Sequence, residues 1–148
     1  MIVAIAADHA GFPLKKMVIE VVKAAGHEPL DLGVFNTKAV DYPDYAAMVA
    51  RAIQNREAER GVLLCGSGVG ACIAANKFRG VYAAVCHDTY SAHQGVEHDD
   101  MNVICLGARI IGPELVREIV LAFLKADFST EERHVRRVNK VRAFERKF

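Results

Sequence analysis

Residues 61–71 have the sequence Gly-Val-Leu-Leu-Cys-Gly-Ser-Gly-Val-Gly-Ala. The short apolar run at 62–64 is typical of a parallel strand covered on both faces, and residues 70–78 can continue as a helix. Cys65 therefore falls at the carboxyl end of a buried strand. The three loop glycines, Gly66, Gly68 and Gly70, let backbone N–H groups converge on a negative centre, and the following helix adds its positive end. We expect the same field to favour the thiolate form of Cys65.

The rest of the chain repeats this strand and helix alternation. Strand-like runs occur at about 2–7, 28–32, 61–65, 81–86 and 102–107. Helix-like runs occur at about 13–25, 43–57, 70–78, 89–97 and 113–126. Such alternation is the signature of a parallel sheet with helices on both faces. The sequence predicts one α/β domain over 1–148, a three-layer α/β/α Rossmann-like fold with a five-stranded parallel sheet.

Composition restricts the class of partner. The chain has 148 residues, is 52% hydrophobic, and carries 19 basic against 18 acidic residues, a formal charge of +1. This balance gives no electrostatic case for nucleic acid or an anionic membrane, so a small molecule is the expected ligand. The apolar run at 2–7 follows no basic region, which argues against a signal peptide or a membrane span. The four cysteines lack an export context, which favours reduced thiols and a cytoplasmic location.

The C-terminal segment, about 131–148, has a different pattern. It carries seven basic residues against three glutamates, a balance of +4. Apolar residues recur every three positions as Val135, Val138, Val141 and Phe144. Such a stripe on a charged helix needs a surface to pack on, and the sequence predicts that this surface belongs to a partner subunit.

The strand ends predict where a ligand binds. In an open doubly wound sheet the crevice lies beyond the carboxyl ends of strands whose connections diverge. Asp8 and His9 end the first strand, and the 65–70 loop ends the third. The long connection 33–41 is placed to help cover this crevice.

A dinucleotide site is an alternative for the same loop. Residues 66–71 fit G-x-G-x-x-[GA], and Asp88 follows about 20 residues later, as a ribose-binding carboxylate would. The motif lies in the third strand–helix unit rather than the first, and Cys65 has no role in pyrophosphate binding. Cys72, Cys86 and Cys105 lie inside apolar runs and are interpreted as small buried hydrophobic residues.

Several motifs together resemble a known family. They are Asp8-His9-Ala10-Gly11, Asp41-Tyr42-Pro43, the 65–70 loop, Ala74-Ala75-Asn76-Lys77, His98-Asp99-Asp100-Met101-Asn102-Val103 and Arg133-His134. In this combination, which spans nearly the whole chain, the sequence resembles the B-type ribose-5-phosphate isomerases. That family also contains isomerases of galactose 6-phosphate, allose 6-phosphate and tetrulose phosphates.

The resemblance implies an aldose–ketose isomerisation through a cis-enediolate, without a metal or cofactor. It implies that Cys65 moves the proton between C2 and C1, and that Ser67 hydrogen-bonds the intermediate. His98 is implied to open the furanose ring, a proton transfer that suits imidazole near neutral pH. Asp8 is implied to hold substrate hydroxyls.

The resemblance also implies a shared site in a homodimer, with a tetramer left open. The phosphate is implied to bind His9, Arg109, Arg133 and Arg137, with Arg109 and the His98 loop reaching across the subunit interface. Arginine suits phosphate because its planar fork donates paired hydrogen bonds. Further substrate contacts are expected from Tyr42, Gly66, Gly68, Gly70 and Asp99.

Two departures from the family pattern leave the sugar open. Asp99 replaces a common asparagine and so exchanges a group that can donate for one that, when ionised, only accepts. The segment 90–97 lacks the arginine that many ribose-type members carry. A subtype with glutamate after the last loop glycine is not matched, because Ala71 stands there. Erythrulose 4-phosphate and galactose 6-phosphate remain alternative substrates, and a non-catalytic nucleotide-binding module is the alternative of another class.

Histidines and carboxylates between residues 87 and 100 raise the alternative of a metal site. The candidates are His87, His93, His98, Asp99 and Asp100. Imidazole and carboxylate are common ligands, but this spacing fits no recognised ligand pattern. The sequence predicts that no metal is bound.

Overall fold

The computed structural model describes residues 1–147. The strands are β1 (Ile2–Ala7), β2 (Glu28–Asp31), β3 (Arg60–Cys65), β4 (Ala83–Val85) and β5 (Val103–Gly107). The helices are α1 (Phe12–Ala24), α2 (Tyr42–Gln54), α3 (Val69–Ala75), α4 (Thr89–Asp99), α5 (Pro113–Lys125) and α6 (Glu132–Phe144), and a short 3-10 turn covers Glu145–Lys147. The last position of the predicted 131–148 extension, Phe148, lies outside the described residues.

All five strands are parallel, in the order β2-β1-β3-β5-β4. β1 and β3 are neighbours in register, with Ala7 opposite Leu64. From this pair the chain moves outward in both directions, to β2 on one side and to β5 and β4 on the other. The carboxyl ends of β1 and β3 therefore form the switch point that the sequence predicted.

Each face of the sheet carries its own apolar core. Helices α1, α4 and α5 pack on one face, where Phe123, Ile104 and Leu106 are fully buried. Helices α2 and α3 pack on the other face around Leu63, Val49 and other small side chains. The two cores confirm the predicted three-layer α/β/α arrangement.

The edge strand β4 is shorter than the predicted 81–86. Side chains replace strand partners at its start, because the Tyr82 N–H donates to Asn102 Oδ1 at 2.8 Å. The Asn76 amide binds both backbone groups of Ala83, accepting from its N–H and donating to its carbonyl at 2.8 Å each. These side-chain amides satisfy backbone groups at the exposed edge of the sheet, which could otherwise pair with a strand of another chain.

The C-terminal helix α6 packs in part on its own chain. His134 and Val138 are each only 4% exposed, whereas Val141 and Phe144 are 50% and 59% exposed. An ion pair between Arg142 and Asp100 joins α6 to the end of α4. Helix α4 thus lies against the part of α6 around His134 and Val138, and docking of the exposed apolar residues of α6 on a partner subunit stays a prediction.

Candidate active site

The loop after β3 wraps around the sulfur of Cys65. The side chain is 5% exposed, and the N–H of Gly68 donates to Sγ at 3.0 Å. Gly68 adopts a left-handed conformation with φ of +83°, and a Cβ there would lie 3.2–3.3 Å from the backbone of Cys105 and Leu106. Only glycine takes this conformation without strain, so the loop's tight turn depends on it.

The loop after β5 packs alongside this turn. The N–H of Ala108 donates to the Cys65 carbonyl at 2.8 Å, and the N–H of Arg109 donates to the Gly66 carbonyl at 3.0 Å. A Cβ on Gly107 would lie 2.7 Å from the backbone of Ser67, so only glycine permits this approach. The pairing places the Arg109 guanidinium over Gly66 of its own chain, beside Cys65, and a reach of Arg109 across a subunit interface stays a prediction.

Asp8 is held beside the same loop by the turn that follows β1. Its Oδ1 accepts the N–H groups of Ala10 and Gly11 at 2.9 Å each. Gly11 lies against the end of β3, where a Cβ would come within 2.2 Å of the Leu64 carbonyl oxygen. Asp8 is thus a buried carboxylate with one oxygen fixed by the backbone.

His9 contacts the long connection predicted to cover the crevice. Its Nδ1 accepts the N–H of Val40 at 3.2 Å. Because one ring nitrogen of neutral imidazole accepts and the other donates, this bond leaves Nε2 as the donor.

These elements enclose a cavity of about 310 Å³ at the carboxyl edge of the sheet. Tyr42 forms one wall and lies so close to Gly70 that a Cβ there would meet the ring at 2.6 Å. The lining residues are Asp8, Tyr42, Cys65, Gly66, Ser67, Gly70, Arg109 and Ile110. A larger cavity of about 590 Å³, between α1 and α5, contains none of the predicted site residues.

The remaining predicted residues form a second group around α6. His98 lies in the last turn of α4, not in a loop, and its ring stacks on that of His134 with centroids 4.0 Å apart. The Nε of Arg133 donates to His134 Nε2 at 3.3 Å. Burial lowers the pKa of His134, and the nearby His98 and Arg133 lower it further. Asp99 and Arg137 line a groove of about 330 Å³ between β4, α4 and α6.

Within one chain, the residues that line the Cys65 cavity and the group around α6 that contains His98 lie apart. Helix α4 begins beyond the carboxyl end of β4 and ends next to the start of β5, so it runs back along the sheet. Its 11 residues span about 16 Å. His98 therefore lies toward the opposite edge of the sheet from Cys65.

The other cysteines differ in environment. Cys72 is partly exposed, and a hydrogen bond from Cys105, aided by bonds from Val85 and Asn76, lowers its pKa to about 7. Burial raises the pKa of Cys86 to about 11, and the bond to Cys72 together with burial raises that of Cys105. The interpretation of Cys72 as a fully buried hydrophobic residue is therefore wrong, because helix α3 leaves one side of it open.

Two residues were given no role in the substrate site from the sequence, although the structure shows them in contact with its elements. His87 accepts the Gly107 N–H on its Nε2 at 2.9 Å and so supports the loop beside Ser67. Gln94 contacts His98, with 3.0 Å between Nε2 and Nδ1. Neither residue belongs to a local motif, and only the return of the chain through α4 and β5 gives them these contacts.

Asp88, the ribose-binding carboxylate of the dinucleotide alternative, has a different role in the structure. Asp88 caps α4 instead, where Oδ1 accepts the Ser91 N–H at 2.7 Å and Oδ2 accepts its hydroxyl at 2.8 Å. These bonds lower the pKa of Asp88. Strand β5 also separates β4, which precedes Asp88, from the glycine loop on β3.

The five candidate metal ligands are dispersed. His87 contacts Gly107, His93 pairs with Glu97 at 3.3 Å, and Asp100 pairs with Arg142. Within residues 1–147, no three histidine, cysteine, aspartate or glutamate side chains form a group that could hold a metal ion. Over the same residues, no helix has the length and apolar character needed to cross a membrane.

Fold and cavity together define an α/β protein with a polar cavity at the switch point of a parallel sheet. The sequence model of the ribose/galactose isomerase family matches residues 3–141. The type B ribose 5-phosphate isomerase of Trypanosoma cruzi is a similar solved structure, with 47% identity, a TM-score of 0.97 and 100% of each chain covered. The ribose-5-phosphate isomerase B of Escherichia coli is 41% identical over 98% of this chain and 97% of that protein.

A third relative is named for a different sugar phosphate. The D-erythrulose-4-phosphate isomerase of Pectobacterium atrosepticum is 45% identical over 85% of this chain and 84% of that protein. The chain belongs to the ribose/galactose isomerase family. It is an enzyme of the aldose–ketose isomerase class.

Proposed function

We propose that the protein interconverts ribose 5-phosphate and ribulose 5-phosphate, with Cys65 as the base that moves the proton. The observation that carries this proposal is the position of Cys65 in a cavity of about 310 Å³ lined by a carboxylate, a hydroxyl and a guanidinium. Similarity to ribose-5-phosphate isomerases over nearly the full length supports the substrate class.

The proposed reaction starts from the open-chain aldose. The Cys65 thiolate takes the proton from C2, the electron pair of that C–H bond forms the C1–C2 double bond, and the π pair of the C1 carbonyl moves onto O1 to give a cis-enediolate. The thiol then returns the proton to C1, while a hydroxyl proton moves from O2 to O1 and leaves the ketone at C2. The loop N–H groups and the Ser67 hydroxyl are positioned to stabilise charge on these oxygens.

The sugar phosphate needs further contacts around the cavity. Asp8 is positioned to accept hydrogen bonds from substrate hydroxyls, and His9 offers Nε2–H beside it. Arg109, over Gly66, supplies a cation for the phosphate. Arginine suits this role because two of its N–H groups can bind two phosphate oxygens.

The proposal places the complete site between two chains of a homodimer. In their own chain, His98, Arg133 and Arg137 do not line the Cys65 cavity, so the proposal needs a second subunit to bring them to it. Exposed apolar side chains border the cavity and supply a contact surface. They are Ile110 at 59%, Val69 at 52% and Ile73 at 59% exposure.

Mixing two inactive variants tests the shared site. Cys65→Ala and His98→Asn proteins should each lose turnover, and a mixture should regain activity because some heterodimers contain one site with both intact residues. Each variant mixed with itself is the control. Absence of recovery, with subunit exchange demonstrated by mass, would contradict the two-chain site.

A turnover assay over several sugar phosphates tests the substrate. Ribose 5-phosphate should give the highest kcat/KM. Erythrulose 4-phosphate is a second candidate, supported by the 45% identical relative. Galactose 6-phosphate and NAD complete the panel. Thermal stabilisation by NAD alone, without turnover of any sugar phosphate, would contradict the proposed function.

A further inference from the structure

Three polar side chains form a connected row in the last turns of α4. Gln94 Nε2 lies 3.0 Å from His98 Nδ1. The same amide nitrogen donates to Asp99 Oδ2 at 3.4 Å. One amide therefore joins the histidine to a carboxylate on the same helix.

The carboxylate determines which way the amide faces. An ionised carboxylate only accepts hydrogen bonds, so the amide atom next to Asp99 must be the NH2 group rather than the oxygen. That NH2 group also faces His98 Nδ1, which must therefore accept. In neutral imidazole the other nitrogen then carries the proton, so His98 has its proton on Nε2.

We infer that Gln94 and Asp99 are positioning residues that hold His98 in its Nε2–H tautomer. The role of His98 itself rests on the proposed function, in which Nε2–H donates a hydrogen bond to an oxygen of the sugar phosphate. A neutral imidazole held as a donor can polarise a substrate oxygen in this way. The inference also explains the departure at position 99, since an asparagine offers both a donor and an acceptor and would not fix the Gln94 amide.

The contact of His98 with His134 fixes the plane of the His98 ring, whereas the contact with Gln94 fixes its tautomer. His134 stacks on one face of the ring, with 22° between the ring planes, so it fixes the plane without a hydrogen bond to a ring nitrogen of His98. The Nε2 of His134 is itself occupied by the Nε of Arg133. The plane and the protonated nitrogen of His98 are thus set by two different helices.

The direct test is the ¹⁵N NMR spectrum of the histidine rings in the full-length protein at about pH 8, where histidines are mostly neutral. Wild type should show His98 with an unprotonated Nδ1. Gln94→Glu should reverse the tautomer, because its carboxylate can only accept a hydrogen bond and so favours a proton on Nδ1. His93→Gln is the matched control on the same helix and should leave the His98 signals unchanged. An Nδ1–H tautomer in wild type, or no reversal in Gln94→Glu, would overturn the inference.

Turnover provides the second readout. Gln94→Glu should lower kcat on ribose 5-phosphate by about 10-fold to 100-fold with little change in KM, a part of what general acid–base groups contribute. Asp99→Asn should lower kcat less, since its amide still contacts Gln94. Wild-type kcat in Gln94→Glu, despite a reversed tautomer, would overturn the link to catalysis. Full turnover in His98→Asn would instead overturn the role of His98 in the proposed function, and the NMR result would still decide the tautomer.

Discussion

Replacement of Cys65 by serine is the sharpest test of the proposed base. The oxygen should accept the Gly68 N–H as the sulfur does at 3.0 Å, so the loop should keep its shape. The side chain is only 5% exposed, and the added polarity should cost about 1–2 kcal/mol of unfolding free energy. The variant should therefore fold.

The catalytic effect should be much larger than this loss of stability. An alcohol is far less acidic than a thiol, so Cys65→Ser should lose the general-base contribution of about 10²–10⁴ in kcat. At about 1.36 kcal/mol per tenfold, this is a barrier increase of roughly 2.7–5.4 kcal/mol. KM should change little, because the phosphate and hydroxyls are held by other groups.

Cys72→Ser is the matched control. Cys72 lies on the next helix, is more exposed than Cys65, and has its pKa lowered to about 7, so it can react near neutral pH. Its replacement should leave kcat unchanged. Steady-state kinetics on the confirmed substrate test both variants, and near-wild-type kcat in Cys65→Ser would exclude Cys65 as the base. Iodoacetamide inactivation should be measured in the Cys72→Ser background, because Cys72 in wild type should be alkylated increasingly as the pH rises through about 7.

Three further predictions concern the cavity wall, the buried histidine and metals. Gly70→Ala should displace the Tyr42 ring, because the new Cβ would lie 2.6 Å from it. We expect kcat/KM to fall by about 10-fold to 100-fold, while the melting temperature stays nearly unchanged because Tyr42 is 43% exposed. An unaltered kcat/KM would show that the substrate does not use this wall of the cavity. His134 has a folded-state pKa below its usual value of 6.5, so the unfolded state binds the proton first and stability should fall as the pH drops below about 6.5. His134→Phe should remove this part of the pH dependence in thermal melts between pH 8 and 5, and parallel curves for the two proteins would contradict the prediction. Prolonged chelation should leave turnover intact, and a loss that zinc or magnesium restores would show that a metal takes part.

The layered fold was accessible from the sequence because it follows from local patterns. Apolar runs of strand length alternate with amphipathic helices, and this alternation has few solutions other than a parallel sheet covered on both faces. The ends of β1 and β3 were predictable for the same reason, since parallel strands place their carboxyl ends at one edge. Asp8 and Cys65 meet there through backbone geometry alone.

Some element boundaries depended on contacts between distant residues. β4 is short because Asn76 and Asn102, far apart along the chain, take over its edge hydrogen bonds. The end of α4 extends through His98 because the ring finds a stacking partner in α6. No local propensity encodes either contact.

The parallel sheet, the glycine loop and the thiol at its centre follow from local sequence, because strand ends and tight turns depend on neighbouring residues. Which of the other predicted residues share the Cys65 cavity depends instead on how distant parts of the chain pack together. Arg109 joins it because the loop after β5 pairs with the loop after β3. His98, Arg133 and Arg137 lie away from it because α4 runs back along the sheet, and the direction and length of a helix set where its last side chains lie in space.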